Sequence, residues 1–298
     1  MSHTHSHKNQ FVNNRAFVIG ITLNVIYIII EIFYGIVSQS MALVADAGHN
    51  LSDVLGLMLA WGATHLAKTL PSQKRTYGLR KSTVLAALLN ALILLIAVGA
   101  ILIESIRKFF NPEPISGTTM MIVAGIGVVI NAATALLFIK GKEHDLNIKG
   151  AFLHMAADAG ISLGVVGAGF LINLTGFYLL DPIIGLVIVA VITIGTWGLL
   201  RDSFELSMDA VPRNINLEEV RKYLIGVEGV SEVHDLHIWG MSTTETALTA
   251  HLVIPTDQKD DKFLGKICSQ LHDKFGIEHS TIQIEKNAQS ASCETGTV

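Results

Sequence analysis

The chain has 298 residues, half of them hydrophobic and only 15% charged, with a formal net charge of −4 and a mean hydropathy of +0.50. So apolar a chain of this length is not an ordinary soluble globular protein, and a bilayer is the expected solvent for much of it. Its two cysteines, Cys268 and Cys293, lack CxxC spacing, so neither a disulfide framework nor a cysteine zinc knuckle is expected.

Residues 1–14 are polar, carry His3, His5 and His7, and have no cleavable-signal pattern, so they read as a loose metal-collecting tail. A bilayer core needs roughly 20 apolar residues in helical form. Six stretches qualify: Ala16–Val37, Met41–Leu66, Thr83–Ile106, Thr118–Ile139, Lys149–Leu174 and Tyr178–Leu200. Pro71, Pro112, Pro114 and Gly141 punctuate the connections, and Asp181–Pro182 falls near the start of the sixth stretch, where proline is tolerated. Lys8, Arg15, Lys74, Arg75, Arg80, Lys81, Lys140, Lys142, Lys149 and Arg201 fall on one side of the six stretches; only Arg107 and Lys108 fall on the other. The positive-inside bias therefore predicts that both termini are cytoplasmic.

Residues 201–287 read as a small soluble domain. From Arg201 to the end there are 9 basic and 16 acidic residues, a balance unsuited to nucleic acid, whose phosphates require positive charge. Asn216 is placed to cap a helix to about Ile225, with Glu218 and Glu219 in its first turn. Val230–Trp239 and Thr244–Ile254 have strand composition around a short polar turn. A helix from Asp260 to Lys274 stops before Gly276, and His279–Glu285 is a last strand. The order αββαβ predicts a two-layer α+β domain; residues 288–298 read as a disordered tail.

The chemistry is carried by ionisable residues inside apolar stretches, which are costly and need an account. The second stretch contains His49 and Asp53, and the fifth contains His154 and Asp158. Four-residue spacing stacks each pair on one helical face. If the two helices are neighbours, two imidazoles and two carboxylates make a tetrahedral shell for Zn²⁺. The carboxylates neutralise a divalent charge within the membrane, and the nitrogen ligands favour Zn²⁺, Cd²⁺ or Co²⁺ over Mg²⁺ and Ca²⁺. A single His–Asp pair could equally be an intrahelical hydrogen bond, but two matched pairs favour the metal site. Asp46 is an outer ligand, a supporting partner or an interface residue on this reading. Asn24, Glu31, Asn90 and Asn131 read as helix-packing polar groups, with a part in proton movement open to Glu31, and Asp181 reads as interfacial. In the soluble domain His234, His237, His251, His279 and Glu285 cluster around the strands and suggest a second site whose members spacing alone does not fix. No HExxH motif is present, and four protein ligands would close the site to hydrolytic chemistry, so an enzyme is not expected.

These features resemble the cation diffusion facilitator family, of the bacterial cobalt–zinc–cadmium resistance type, over about residues 12–287. The carriers are Ser-Met-Ala-Leu-Val-Ala-Asp-Ala-Gly-His-Asn-Leu-Ser-Asp ending at Asp53, Tyr77-Gly78, Ala86-Ala87-Leu88-Leu89-Asn90, Asn147 to Ala151, His154 with Asp158, Asp181-Pro182, and His234 to Trp239. The resemblance implies a homodimeric, proton-coupled exporter in a bacterial inner membrane, with a ferredoxin-like cytoplasmic domain. It implies transport of Zn²⁺, with Cd²⁺ or Co²⁺ as further cargo, through His49, Asp53, His154 and Asp158. It also implies cytoplasmic metal binding by His234, His251 and Glu285, with His279 a candidate. The chain departs from many members in having Thr83 after the Tyr-Gly-x-Arg segment, and Lys68–Lys81 has no Asp/His cluster, so no loop zinc site is expected.

Overall fold

The computed structural model describes residues 14–139, 146–255 and 261–286. The histidine-bearing first segment, the loop with Lys140, Lys142 and His144, and the final tail lie outside the described residues. Six long helices come first: α1 (Asn14–Val37), α2 (Met41–Ala67), α3 (Ser82–Phe110), α4 (Gly117–Phe138), α5 (Leu146–Thr175) and α6 (Leu180–Ser207). They are followed by α7 (Leu217–Ile225), β1 (Glu232–Gly240), β2 (Thr246–Val253), α8 (Asp261–Phe275) and β3 (His279–Glu285). Among the described residues four helices are long and apolar enough to cross a membrane: Ser82–Phe110, Gly117–Leu136, Phe152–Thr175 and Leu180–Ser207. The described apolar part of α1, Thr22–Val37, is shorter, and Asp46, His49, Asn50 and Asp53 dilute α2.

The chain divides into two compact units. The first contains α1, the start of α2 as far as Leu57, and Leu92–Trp197. Its core joins Leu43, Met120, Val123, Ala168, Ile172 and Ile188. Between helices that are apolar on every side, close backbone approach through small residues supplies the packing. A Cβ at Gly117 would stand 2.5 Å from the Gly169 carbonyl oxygen, and one at Gly127 would stand 2.2 Å from the Tyr27 hydroxyl. Glycine is what lets α4 meet α5 and α1 so closely.

The start of α2 is fully partnered. Gln39 takes a left-handed φ of 53° and turns the chain. The Met41 and Ala42 amides donate to Asp181 at 2.7 and 3.1 Å, the Leu43 amide to Ser40 Oγ, and the Val44 amide to the Ser40 carbonyl. With the Ser40 amide, which donates to the Gly35 carbonyl, the Met41, Ala42 and Leu43 amides are the four that a helix N-terminus leaves without internal partners, and the Val44 amide makes the first intrahelical bond. Asp181, read from sequence as interfacial, is 1% exposed and acts as this cap across 140 residues of sequence.

The second unit contains Met58–Ala91 and the chain from Gly198 onward. Asn216 Oδ1 accepts from the Glu218 and Glu219 amides, as the sequence predicts, and Gly276 ends α8 at a φ of 66°. The sheet order is β1-β2-β3, with β1·β2 antiparallel and β2·β3 parallel. Leu248, Ala250 and Leu252 of the central strand join Val220, Leu224 and Leu271 from the two helices in one core. Alternate residues, including His251, therefore occupy the opposite face. The helix expected to end at Leu200 runs on to Ser207, where Arg201 Nε donates to Glu205 Oε1 at 2.7 Å one turn along. The segment after α2 joins this unit through Arg80 and Glu245 at 2.6 Å, the Lys81–Asp209 ion pair, and the Thr243 amide donating to Thr83 Oγ1.

Candidate metal centres

Two clusters of nitrogen and carboxylate donors lie in the described residues, one in each unit. In the first unit, α2 presents His49 and Asp53, and α5 presents His154 and Asp158, each pair one helical turn apart. Across the helices, His154 Nε2 is 3.2 Å from Asp53 Oδ2, and His49 Nε2 is 3.4 Å from Asp158 Oδ1. Within each helix the separations are 3.8 Å for His49–Asp53 and 3.7 Å for His154–Asp158. A tetrahedron with bonds of about 2.0–2.1 Å has edges of about 3.3–3.4 Å. Four of the six separations among these groups therefore stand near the edges of one zinc shell. The donor atoms of Asp53, His154 and Asp158 all lie within 4.8 Å of one another, and His49 completes the ring from the Asp158 side.

Asp158 is 2% exposed, while His154 and Asp53 are partly open. Asp53 Oδ2 and Asp158 Oδ1 are buried with no hydrogen-bond donor aligned on them among the described residues. Their nearest partners are His154 Nε2 and His49 Nε2, and buried carboxylate oxygens held without an aligned hydrogen bond are costly. A cation between the helices relieves that cost, and so does protonation.

The second cluster lies on the sheet face opposite α7 and α8. Glu285 Oε2 meets His234 Nε2 at 3.0 Å, Glu285 Oε1 meets His251 Nδ1 at 2.8 Å, and the two imidazoles are 5.1 Å apart. Their donor atoms lie within 4.8 Å of one another. His251 faces His234 because these residues pair in register across β1 and β2; Glu285 is brought alongside by the parallel pairing of β3. His279 is not brought to this cluster. It opens β3, six residues from Glu285, and its ring stands edge-on to Tyr77 at 5.7 Å.

Asp235 was not singled out in the sequence, yet it joins the cluster. It sits at a β-bulge with a left-handed φ of 50°, a conformation that aspartate tolerates. Its Oδ1 is 2.9 Å from His237 Nε2 and its Oδ2 is 3.5 Å from His251 Nε2. The His237 imidazole beside it holds its carboxyl below the usual carboxylate range. His237 thus reaches the cluster only through Asp235. An aspartate between two strand histidines, His234-Asp235-Leu236-His237, is the signal that could have marked the bulge.

Residues 17–206 match the cation efflux transmembrane domain, and residues 212–287 match the cation efflux protein cytoplasmic domain. The cation efflux system protein CzcD of Alcaligenes sp. (strain CT14) is 35% identical over 282 residues, 94% of this chain and 89% of its own. The cadmium, cobalt and zinc/H(+)-K(+) antiporter of Bacillus subtilis (strain 168) is 33% identical, covering 97% of this chain and 94% of its own. The zinc transporter ZitB of Escherichia coli (strain K12) is 31% identical, covering 96% and 93%.

Proposed function

The chain belongs to the cation efflux family of membrane metal transporters, and on that premise we propose that it carries Zn²⁺ out of the cytoplasm in exchange for protons. Cd²⁺ and Co²⁺ are further cargo on this reading. The four-donor cluster His49, Asp53, His154 and Asp158 is the transport site. The observation that carries the proposal is the convergence of two imidazole nitrogens and two carboxylates from facing helices, at cross-helix separations of 3.2 and 3.4 Å. One such set matches both the coordination number and the charge of a borderline-soft divalent ion.

The exchange follows from linkage. Metal binds deprotonated imidazole and carboxylate, so loading expels protons and protonation weakens the site. Histidine titrates within the physiological range, which makes His49 and His154 the natural exchanging groups. A metal-rich cytoplasm loads the site when it opens inward; a proton-rich exterior unloads it when it opens outward. Six membrane spans with both termini inside, a ferredoxin-like cytoplasmic domain and a homodimer in a bacterial inner membrane complete the reading. The cytoplasmic domain binds a second zinc through His234, His251 and Glu285, while His279 stands apart from it.

X-ray absorption at the zinc edge tests the transport site directly in a His234→Ala/His251→Ala background. Two nitrogen and two oxygen ligands at about 2.0 Å are expected. A shell containing sulfur, or one of waters alone, would overturn the assignment.

A further inference from the structure

The proposed transport site is part of a longer seam between α2 and α5. Three side-chain pairs face each other along it: Asp53 with His154 at 3.2 Å, His49 with Asp158 at 3.4 Å, and Asp46 with Ser162, whose Oγ donates to Asp46 Oδ2 at 2.9 Å. The numbers fall along α2 as they rise along α5, so the two helices run antiparallel and the third pair stands one turn beyond the ligands. Asp46 precedes His49 by three residues and Ser162 follows Asp158 by four, the offsets that keep side chains on one helical face. Asp53 and Asp158 each pair with both histidines, whereas among the described residues Asp46 pairs with neither.

Asp46 and Ser162 are both fully buried, and one turn farther on the seam is apolar, with Ala42 of α2 and Val165 of α5 buried in the same core. A hydroxyl within a helix can bond back to the carbonyl four residues earlier, as Thr134 does to Ile130 at 2.8 Å and Thr193 to Val189 at 2.7 Å. Ser162 reaches across to α2 instead. Apolar packing alone sets no sharp spacing between helices in lipid, but a hydrogen bond closes at a narrow donor–acceptor distance. This one pins the register and separation of α2 and α5 beside the ligands.

We propose that Asp46 and Ser162 are positioning residues for the transport site, whose bond holds α2 and α5 at the spacing of a Zn²⁺ shell and so favours Zn²⁺ over the larger Cd²⁺. Imidazole and carboxylate suit both ions, so the donor set by itself does not separate them. Edge length does. Edges of about 3.3–3.4 Å match bonds of about 2.0–2.1 Å, and a larger ion needs the helices to part. A bond one turn from His49 and Asp158 resists that parting.

The inference rests on the four-ligand reading of the site, and its test separates the two. Zinc and cadmium affinities are measured by chelator competition on full-length protein carrying His234→Ala/His251→Ala, which silences the cytoplasmic cluster. Ser162→Ala removes a single oxygen and is expected to lower the zinc-to-cadmium affinity ratio by about 10-fold, the lower end of what a metal site loses with a supporting partner. Asp46→Ala is expected to do the same, and the double variant no more than either, because both remove one bond. Asp46→Asn keeps an acceptor for the hydroxyl and is expected to retain the parent's ratio, which separates the bond from the charge. A merely structural pair would lower stability and both affinities together and leave the ratio where it was. Ser162→Ala decides alone if Asp46→Ala does not fold: zinc bound with the parent's ratio overturns the inference and leaves the metal site standing. Absence of zinc binding in the parent removes the site itself.

Discussion

Asp181→Ala is the most informative stability test, because the structure fixes what it removes. One carboxylate, 1% exposed, accepts from the Met41 amide at 2.7 Å, the Ala42 amide at 3.1 Å and Ser40 Oγ at 2.5 Å. Alanine leaves two buried backbone donors and a hydroxyl without partners at the start of the helix that carries His49 and Asp53. An ordinary N-cap loss costs about 1 kcal/mol, and a hydrogen bond to a charged group contributes about 1.5–3 kcal/mol. The hydroxyl can turn to another acceptor, so the two amides dominate and a loss of about 3 kcal/mol is expected, roughly a 150-fold change in the folding equilibrium. Asp181→Asn keeps one good acceptor and should lose about half as much. Unfolding in mixed detergent micelles, followed by helical circular dichroism, reads both variants. If Asp181→Ala loses less than about 0.5 kcal/mol, the cap is not what holds the start of α2.

Three further outcomes are expected. Asp158→Asn should weaken zinc binding at the membrane site by at least about 100-fold, since loss of mere outer-shell partners already costs 10–100-fold; competition with a chelator of known affinity measures it. Gly169→Ala would place a Cβ 2.8 Å from the Gly117 carbonyl oxygen and 2.9 Å from Met121 Cγ. Forcing α4 from α5 should cost about 1–3 kcal/mol and lower zinc affinity as well, because α5 carries His154 and Asp158; intact stability would show that the two helices are not in close contact. Metal binds deprotonated ligands, so the zinc affinity of the cytoplasmic cluster should fall as the pH is lowered. In an Asp158→Ala background, equilibrium dialysis reads that slope, and Glu285→Ala should abolish the binding it reports.

What the sequence revealed depended on the range of the interactions involved. The HxxxD spacings placed His49 with Asp53 and His154 with Asp158 because helical geometry fixes a four-residue offset locally. The Asn216 cap and the Gly276 stop were legible for the same reason. That α2 faces α5 was a condition of the reading, and the structure meets it with cross-helix separations of 3.2 and 3.4 Å. The capping role of Asp181 was not legible because its partners lie 140 residues earlier in the chain. His279 was grouped with Glu285 by nearness in sequence, yet an extended strand carries its two ends about 20 Å apart. Asp235 escaped notice because the bulge that turns it toward His251 breaks the two-residue alternation on which strand faces are assigned. The Tyr27–Glu31–Asn50 and Asp46–Ser162 contacts were visible only as separate polar residues, since each joins side chains that the sequence does not set side by side.

Zinc flux in proteoliposomes tests the central claim most directly, with a pH gradient imposed and then collapsed, comparing the parent protein with Asp158→Ala. The account predicts that zinc moves against the proton gradient in the parent, that flux subsides when the gradient collapses, and that Asp158→Ala abolishes it. Flux that ignores the gradient, or that persists in the variant, would contradict transport through the four-ligand site.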